Sequence, residues 1–205
     1  IATPMPTLAQ QKALMAKATP TPGFTVDLMV LYTPDIATKL GAGLLPMIYN
    51  LVTSANAAYV GSEIALTLRL VNASLVNLPN SVASNDALAS MNNGAAGTVN
   101  ALFQPLTWDA SSLRNTLGAD IVALVRDGPT DTGGVGFVLG NPKIFLAGVD
   151  ETPQVIASAA YSINNFCADG CESIFTHELG HNMGNAHDRA TVARDNDGVI
   201  PNSGR

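Results

Sequence analysis

Every histidine of this 205-residue chain lies within one segment of eleven residues, from His177 to His187. His177 and His181 are four residues apart, so on a helix both imidazoles project from one face, about 6 Å from each other. Glu178 falls on the same side, about 60° from His181 around the axis. An unbroken helix would carry His187 about 15 Å beyond His177. The segment therefore predicts a helix followed by a sharp turn, and Gly184 is the residue at which such a turn costs least.

The histidine spacing also predicts a chemistry. Three neutral imidazole nitrogens suit zinc, and three protein ligands leave a fourth position open for water, as in catalytic zinc sites. Zinc would acidify that water, and Glu178 would act as general base and pass the proton to a leaving amine. The alternative is an amphipathic helix with unrelated histidines, but random placement gives this spacing, together with glutamate in the second position and glycine in the eighth, about once in a few million chains. The expected reaction is hydrolysis of an amide bond.

Composition excludes several other classes of function. The chain is 47% hydrophobic and 13% charged, with a net charge of -6, so no basic surface for nucleic acid or anionic lipid is expected. Its longest apolar stretches, such as Val155 to Ala160, are too short for a membrane span. The first residues, IATPMP, do not form a secretory signal, so the protein is either cytosolic or already processed. The few charges favour a secreted protein.

Periodicity in the first half predicts a strand, a helix and a second strand. Phe24 to Tyr32 is a continuous apolar run typical of a buried strand. From Leu44 to Tyr59 the apolar residues recur at helical spacing, and from Ile64 to Val71 they alternate. This order favours an α/β sheet in which the helix is a crossover connection. Residues 1–23 are expected to be a tail or the remnant of a pro-segment.

The second half carries shorter signals. Residues 72–97 are expected to form a loop with at most a short helix. Gly133 to Gly140 resembles an edge strand, or a place where another backbone comes close, although a simple loop is the alternative. The remaining expected elements are a helix at 109–117 that Asp109 caps, short strands at 121–125 and 159–163, and the helix of the histidine segment at 173–182.

The only two cysteines, Cys167 and Cys171, lie four residues apart. They admit three interpretations: a disulfide across a short loop, two free thiols, or half of a metal site. A disulfide would fit an exported protein. As zinc ligands, the thiols would displace the catalytic water from a site that three histidines already complete.

The segment HELGHNMGNAHD resembles the extended zinc motif of the metzincin endopeptidases. The aspartate after the third histidine, Asp188, is similar to that of the reprolysin, or adamalysin, branch. The scarcity of cysteine resembles its microbial members, including the peptidyl-Asp metalloendopeptidases. The resemblance implies an α/β (α+β) fold: a twisted mixed sheet with crossover helices and an active-site helix. It also implies a secreted endopeptidase that hydrolyses internal bonds of protein or peptide substrates.

The resemblance assigns a role to each residue of the motif. His177, His181 and His187 would bind one catalytic zinc ion, Glu178 would be the general base, and Gly184 the hinge. Asp188 would have a structural role, bonding to the protein rather than to zinc.

In this family an edge strand of the upper lobe pairs with extended substrate. Here that strand is expected within Gly134 to Gly140, with Gly136, Phe137 and Val138 beside the substrate. Calcium binding stays open, because the spacing of the acidic residues does not resemble a calcium loop.

The chain also departs from the family. Metzincins carry a methionine turn after the third histidine, but no methionine follows Met183 here. We therefore expect a catalytic domain over residues 24–205 whose upper lobe ends near 184 and whose lower lobe, from 185 to 205, is truncated. The alternative functions are a zinc-containing binding or adhesion module that no longer cleaves, and a zinc hydrolase acting on a non-peptide amide. Cleavage preference and oligomeric state are not indicated.

Overall fold

The computed structural model describes residues 23–92, 110–128, 131–138, 159–166, 171–185, 187 and 191. Five strands lie in these ranges: β1 (Phe24–Tyr32), β2 (Leu66–Leu75), β3 (Ile121–Arg126), β4 (Gly134–Gly136) and β5 (Tyr161–Asn165). The helices are α1 (Pro34–Leu40), α2 (Leu44–Gly61), α3 (Ser84–Asn92), α4 (Ala110–Leu117) and α5 (Cys171–Asn182). None of these helices is both long and apolar enough to cross a membrane.

The strands form one mixed sheet in the order β2-β1-β3-β5-β4. Strands β2, β1, β3 and β5 are parallel to one another, and β4 pairs antiparallel with β5 at the edge. The expected α/β sheet with a crossover helix is therefore confirmed, because α2 connects the parallel strands β1 and β2. This architecture is consistent with a metzincin upper lobe. The edge strand expected within Gly134 to Gly140 is present as β4.

Both faces of the sheet are covered, which explains why β1 lacks the polar alternation of a half-exposed strand. Leu28, Val30 and Tyr32 point to one face and pack in a cluster that includes residues of α2 and α5. Met29 and Leu31 point to the other face and pack with residues of α3. Helix α5 is thereby fixed over β3, β5 and β4.

A buried arginine holds the chain that leads into β4. Arg126 has no exposed surface and donates to Asn165 Oδ1 at 2.9 Å and to Ser84 Oγ at 2.9 Å. Burial lowers its pKa, although the charge of nearby Asp131 opposes that shift. Asn165 Nδ2 in turn donates to the Thr132 carbonyl oxygen at 2.7 Å. The network therefore sets where the polypeptide enters the edge of the sheet.

The element boundaries differ from those expected in three places. Strand β2 begins at Leu66 and runs to Leu75, because its polar end pairs with buried residues of β1 such as Met29. The segment 72–97, expected to be a loop with at most a short helix, holds the end of β2 and the nine-residue helix α3, whose Ser84 is held by two bonds to Asp131. Helix α1 follows directly after β1, where we expected only a strand end. The expectations for residues 1–22 and for Asp109 lie outside the described residues.

Candidate metal centre

Helix α5 carries the first two histidines and the glutamate. Its apolar residues Phe175 and Leu179 are fully buried in the core, which fixes the rotation of the helix about its axis. His181 and Glu178 are buried, with 6% and 5% of their surface exposed, whereas His177 is exposed. The helix therefore presents one imidazole to solvent and keeps the carboxylate inside the protein.

The helix ends in the sharp turn that the sequence predicts. Gly184 has φ +89°, the left-handed region in which glycine is least strained. The Gly184 N–H donates to the His181 carbonyl oxygen at 2.9 Å, and the Asn185 N–H donates to that of Gly180 at 3.0 Å. These two bonds define a Schellman motif. The turn returns the chain toward the helix, so that His187 meets the other two histidines.

The three Nε2 atoms converge. That of His187 lies 3.2 Å from those of both His181 and His177, and the potential ligand atoms of the triad all lie within 4.8 Å of one another. Two nitrogens bound to one tetrahedral zinc ion at about 2.0–2.1 Å would be separated by about 3.3 Å. Unprotonated nitrogens this close repel each other unless a proton or a cation lies between them. The arrangement fits a zinc ion.

A backbone bond sets the tautomer of His181. Its Nδ1 lies 2.7 Å from the Asn185 carbonyl oxygen. Because a carbonyl oxygen only accepts, Nδ1 carries the proton and Nε2 keeps its lone pair for a metal. Burial lowers the pKa of His181 and also that of His177, where the charge of His187 lowers it further. Both effects favour the neutral imidazole that binds a metal.

Glu178 lies against the edge strand. Burial raises its pKa to about 7. A Cβ atom added to Gly134 would come within 2.7 Å of Glu178 Oε1, and one added to Gly136 within 3.3 Å of Oε2. The two glycines of β4 therefore make the space that the carboxylate occupies.

Asn182 is a site residue that sequence reasoning missed. It is 1% exposed and donates through Nδ2 to the carbonyl oxygens of Tyr161 at 2.8 Å and Phe137 at 3.0 Å. Phe137 continues the pairing with β5 beyond the end of β4. The available signal was its position four residues after Glu178, on the same side of the helix. Asn182 joins the helix to the edge strand.

A cavity of about 510 Å³ adjoins the triad on the side of α2. Its wall includes His177 and His181, together with Thr176 of α5 and the α2 residues Ser54 and Tyr59. Burial raises the pKa of Tyr59 to about 12. This cavity lies apart from the contact between Glu178 and β4.

Several predicted residues lie outside the described part of the chain. Asp188 is one of them, so its expected structural role stays a prediction. Cys171 begins α5, but Cys167 is not described, and the expected disulfide therefore also stays a prediction. Gly136 is the last residue of β4, Phe137 still bonds to β5, and Val138 lies beyond the paired residues; the expected contact of all three with substrate stays a prediction.

The sequence matches the reprolysin model of metallo-peptidase family M12 over residues 24–203. The chain belongs to this metallopeptidase family. The match covers all the described elements and the metal-site histidines, so the resemblance inferred from the histidine segment is confirmed at the level of the family.

Two curated proteins are similar to this chain. It is 30% identical over 183 residues to the peptidyl-Asp metalloendopeptidase of Pseudomonas aeruginosa, which covers 88% of this chain and 28% of that protein. It is 25% identical over 167 residues to the protein of the same name from Stenotrophomonas maltophilia, covering 82% of this chain and 34% of that protein. The chain thus spans about a third or less of these relatives.

A solved structure shares the fold. The chain resembles a chain in a structure described as a chaperone-substrate complex, with a TM-score of 0.57 and 19% identity, over 79% of this chain and 23% of that one. At this level of identity the likeness concerns the fold alone.

Proposed function

We propose that this M12 family member is a zinc-dependent endopeptidase that cleaves internal peptide bonds of proteins. The observation that carries the proposal is the convergence of three Nε2 atoms beside a buried glutamate that faces the edge of a sheet. The triad would hold a single zinc ion, and family membership supports protein or peptide substrates.

His177, His181 and His187 would hold the metal through Nε2. Zinc bound there supplies a Lewis acid that polarises a carbonyl oxygen and acidifies water. Glu178 accepts a proton from the attacking water at a carboxylate oxygen and donates it to the nitrogen of the leaving amine. In the metal-free protein burial raises the pKa of Glu178 to about 7, and this burial makes the carboxylate a stronger base than an exposed one.

Strand β4 is suited to hold an extended peptide. Its neighbours Gly133 and Phe137 bond to β5 through the Gly133 carbonyl oxygen and the Phe137 N–H. Because bonding direction alternates along a strand, the backbone groups of Gly134 and Gly136 point away from β5. A peptide added at this edge would pair with the backbone and lie beside Glu178.

Cleavage by the full-length chain, loaded with one equivalent of zinc, tests this function. A peptide library that includes Asp at varied positions would be incubated with the protein, and the products identified by mass spectrometry. The Glu178→Gln variant should bind zinc and cleave nothing. A wild-type protein that binds zinc without cutting any peptide would instead support the binding module, and cleavage of small amides alone would support the non-peptide hydrolase.

We also propose that the enzyme acts outside the cell. The supporting observation is the charged content of 13%, about half of that of an average soluble protein. Fractionation of producing cells tests this proposal: the protein should accumulate in the medium, and its retention in the cytoplasm would contradict the proposal.

A further inference from the structure

Four buried polar atoms without a hydrogen-bond partner belong to residues at the contact between α5 and the edge of the sheet. We call these residues the buried polar cluster: Ser162, Asn164, Glu178 and Asn182. All are at least nine-tenths buried, from 0% to 5% exposed. The atoms are Ser162 Oγ, Asn164 Oδ1, Glu178 Oε2 and Asn182 Oδ1. A buried polar atom without a partner costs about 1–3 kcal/mol, so four of them in one place need a physical explanation.

The register of β4 and β5 brings these residues together. Gly134 lies opposite Asn164, and Gly136 lies opposite Ser162. Residues directly opposite on antiparallel strands point to the same face, with Cβ positions about 4.5–5.5 Å apart. On that face the space above both glycines is filled by Glu178, and Asn182 Nδ2 lies 3.5 Å from the Cβ position of Gly136. Ser162 and Asn164 therefore lie on the face of the sheet that the carboxylate covers.

The hydrogen-bonding groups of the cluster suit a bound water molecule. Both asparagine oxygens accept, a Glu178 carboxylate oxygen accepts when it carries no proton, and the Ser162 hydroxyl both donates and accepts. The orientation of Asn182 is settled, because its Nδ2 already donates to two carbonyl oxygens. A water molecule donates two hydrogen bonds and accepts two, so one water together with the Ser162 hydroxyl can satisfy all four atoms. Internal waters bind where two to four such groups converge.

We propose that an internal water molecule is bound in the buried polar cluster and holds the Glu178 carboxylate in position. Ser162 and Asn164 are then positioning residues, which act on the reaction through this water and the glutamate. The catalytic consequence rests on the proposed peptidase function, whereas the water site itself does not.

A high-resolution crystal structure of the zinc-loaded full-length protein tests the water site directly. We expect an ordered water within about 2.7–3.2 Å of Ser162 Oγ and of a Glu178 carboxylate oxygen. A direct bond between these two groups, with no water among the four residues, would overturn the inference. This result does not depend on whether the protein cleaves peptides.

The Ser162→Ala variant tests the positioning role. It should lower kcat about tenfold and leave KM unchanged, because outer contacts of this kind typically contribute that much. Thr33→Val is the matched control, since Thr33 Oγ1 is another fully buried hydroxyl without a partner, outside the cluster. An equal kcat in the two variants would contradict the positioning role.

A measurement on the metal-free protein covers the case in which no activity is found. Urea midpoints would be compared for Ser162→Ala, Glu178→Gln and the double variant. If the two side chains share a water, the shifts are not additive. Additive shifts would contradict the inference. Asn164→Leu, close in volume to the native residue, repeats the cycle if Ser162→Ala does not fold. A wild-type chain that cleaves nothing would refute the proposed function alone.

Discussion

Asn182 Nδ2 donates a hydrogen bond to the carbonyl oxygen of Phe137, 45 residues earlier in the chain, at 3.0 Å. The bond joins the end of the metal-site helix to the open edge of the sheet. The amide also donates to the carbonyl oxygen of Tyr161, so a single side chain ties α5 to two neighbouring segments. The parts expected to hold the metal and the substrate are thus fixed relative to each other.

The first prediction concerns this contact. Asn182→Ala should lower the free energy of unfolding by about 1–3 kcal/mol, because the Phe137 carbonyl oxygen loses this donor and the buried Tyr161 carbonyl oxygen keeps only its bond from the Phe137 N–H. Urea unfolding of the metal-free protein would measure the change. Asn185→Ala, at an exposed position after the same helix, should cost under about 0.5 kcal/mol. Equal costs for the two variants would contradict the structural role of Asn182.

The second prediction compares two glycines of the histidine segment. Gly184→Ala should destabilise the protein by about 1 kcal/mol or more, because φ is +89°, and it should also weaken zinc binding by moving His187. Gly180→Ala should be neutral or stabilising, since an added Cβ meets nothing closer than 3.7 Å and alanine favours helix. Thermal unfolding and zinc titration measure both effects. Only Gly184→Ala should destabilise the protein, and equal effects of the two variants on stability would contradict the left-handed turn at Gly184.

The third prediction concerns the glycine next to the base. Gly134→Ala places a Cβ atom 2.7 Å from the Glu178 side chain, so the carboxylate must move. We expect kcat to fall by at least about tenfold while zinc still binds, because displacement of a catalytic group by about 1 Å is costly. Gly43→Ala is the control, since nothing lies within 4 Å of its Cβ position. Unchanged turnover by Gly134→Ala would show that Glu178 is placed by other contacts.

The fourth prediction concerns the metal. A ligand that binds only the folded state at 1,000 times its Kd stabilises that state by about 4 kcal/mol, so zinc should raise Tm by several degrees. His187→Ala should abolish most of this shift, as it removes one of three convergent nitrogens. Differential scanning calorimetry with and without a chelator measures it. The same zinc shift in the variant would exclude His187 as a ligand.

The fifth prediction is a pH dependence in the metal-free protein. The folded-state pKa of Glu178, about 7, lies above its ordinary value of 4.5. Between these values the folded protein holds a proton that the unfolded chain has lost, so stability falls as pH rises. The loss is on the order of 3 kcal/mol and is complete above pH 7. Urea unfolding of the wild type and of Glu178→Gln from pH 4 to 8 isolates this loss of stability. The same dependence of the unfolding free energy on pH in both proteins would contradict the burial of Glu178.

Local sequence was enough to predict the parts that depend on local geometry. The helix at His177 and His181 follows from their spacing, and the turn at Gly184 follows from the need to bring His187 back. Helix α2 was predictable because its buried face recurs at helical spacing. In each case the responsible residues are neighbours in the chain, so periodicity and backbone preference carry the information.

The rest depends on contacts between distant residues. Helix α3 has a largely polar sequence, and its first residue is held by Asp131, 47 positions away. The burial of Glu178 depends on the two glycines of β4, about 40 residues earlier, and nothing in the histidine segment indicates it. The bonds of Asn182 to two strands are hidden for the same reason. Such features emerge only when the sheet order is known.

The two glycines of the edge strand limit its selectivity for substrates. At Gly134 and Gly136, beside the glutamate, β4 offers no side chain beyond the backbone itself. Any extended polypeptide paired with this strand would form the same backbone hydrogen bonds at these two glycines, whatever its side chains. Selection among substrates would therefore have to come from the segments that flank β4. Exchanging those segments between relatives should transfer the preference for a cleavage site while the hydrolytic centre stays unchanged.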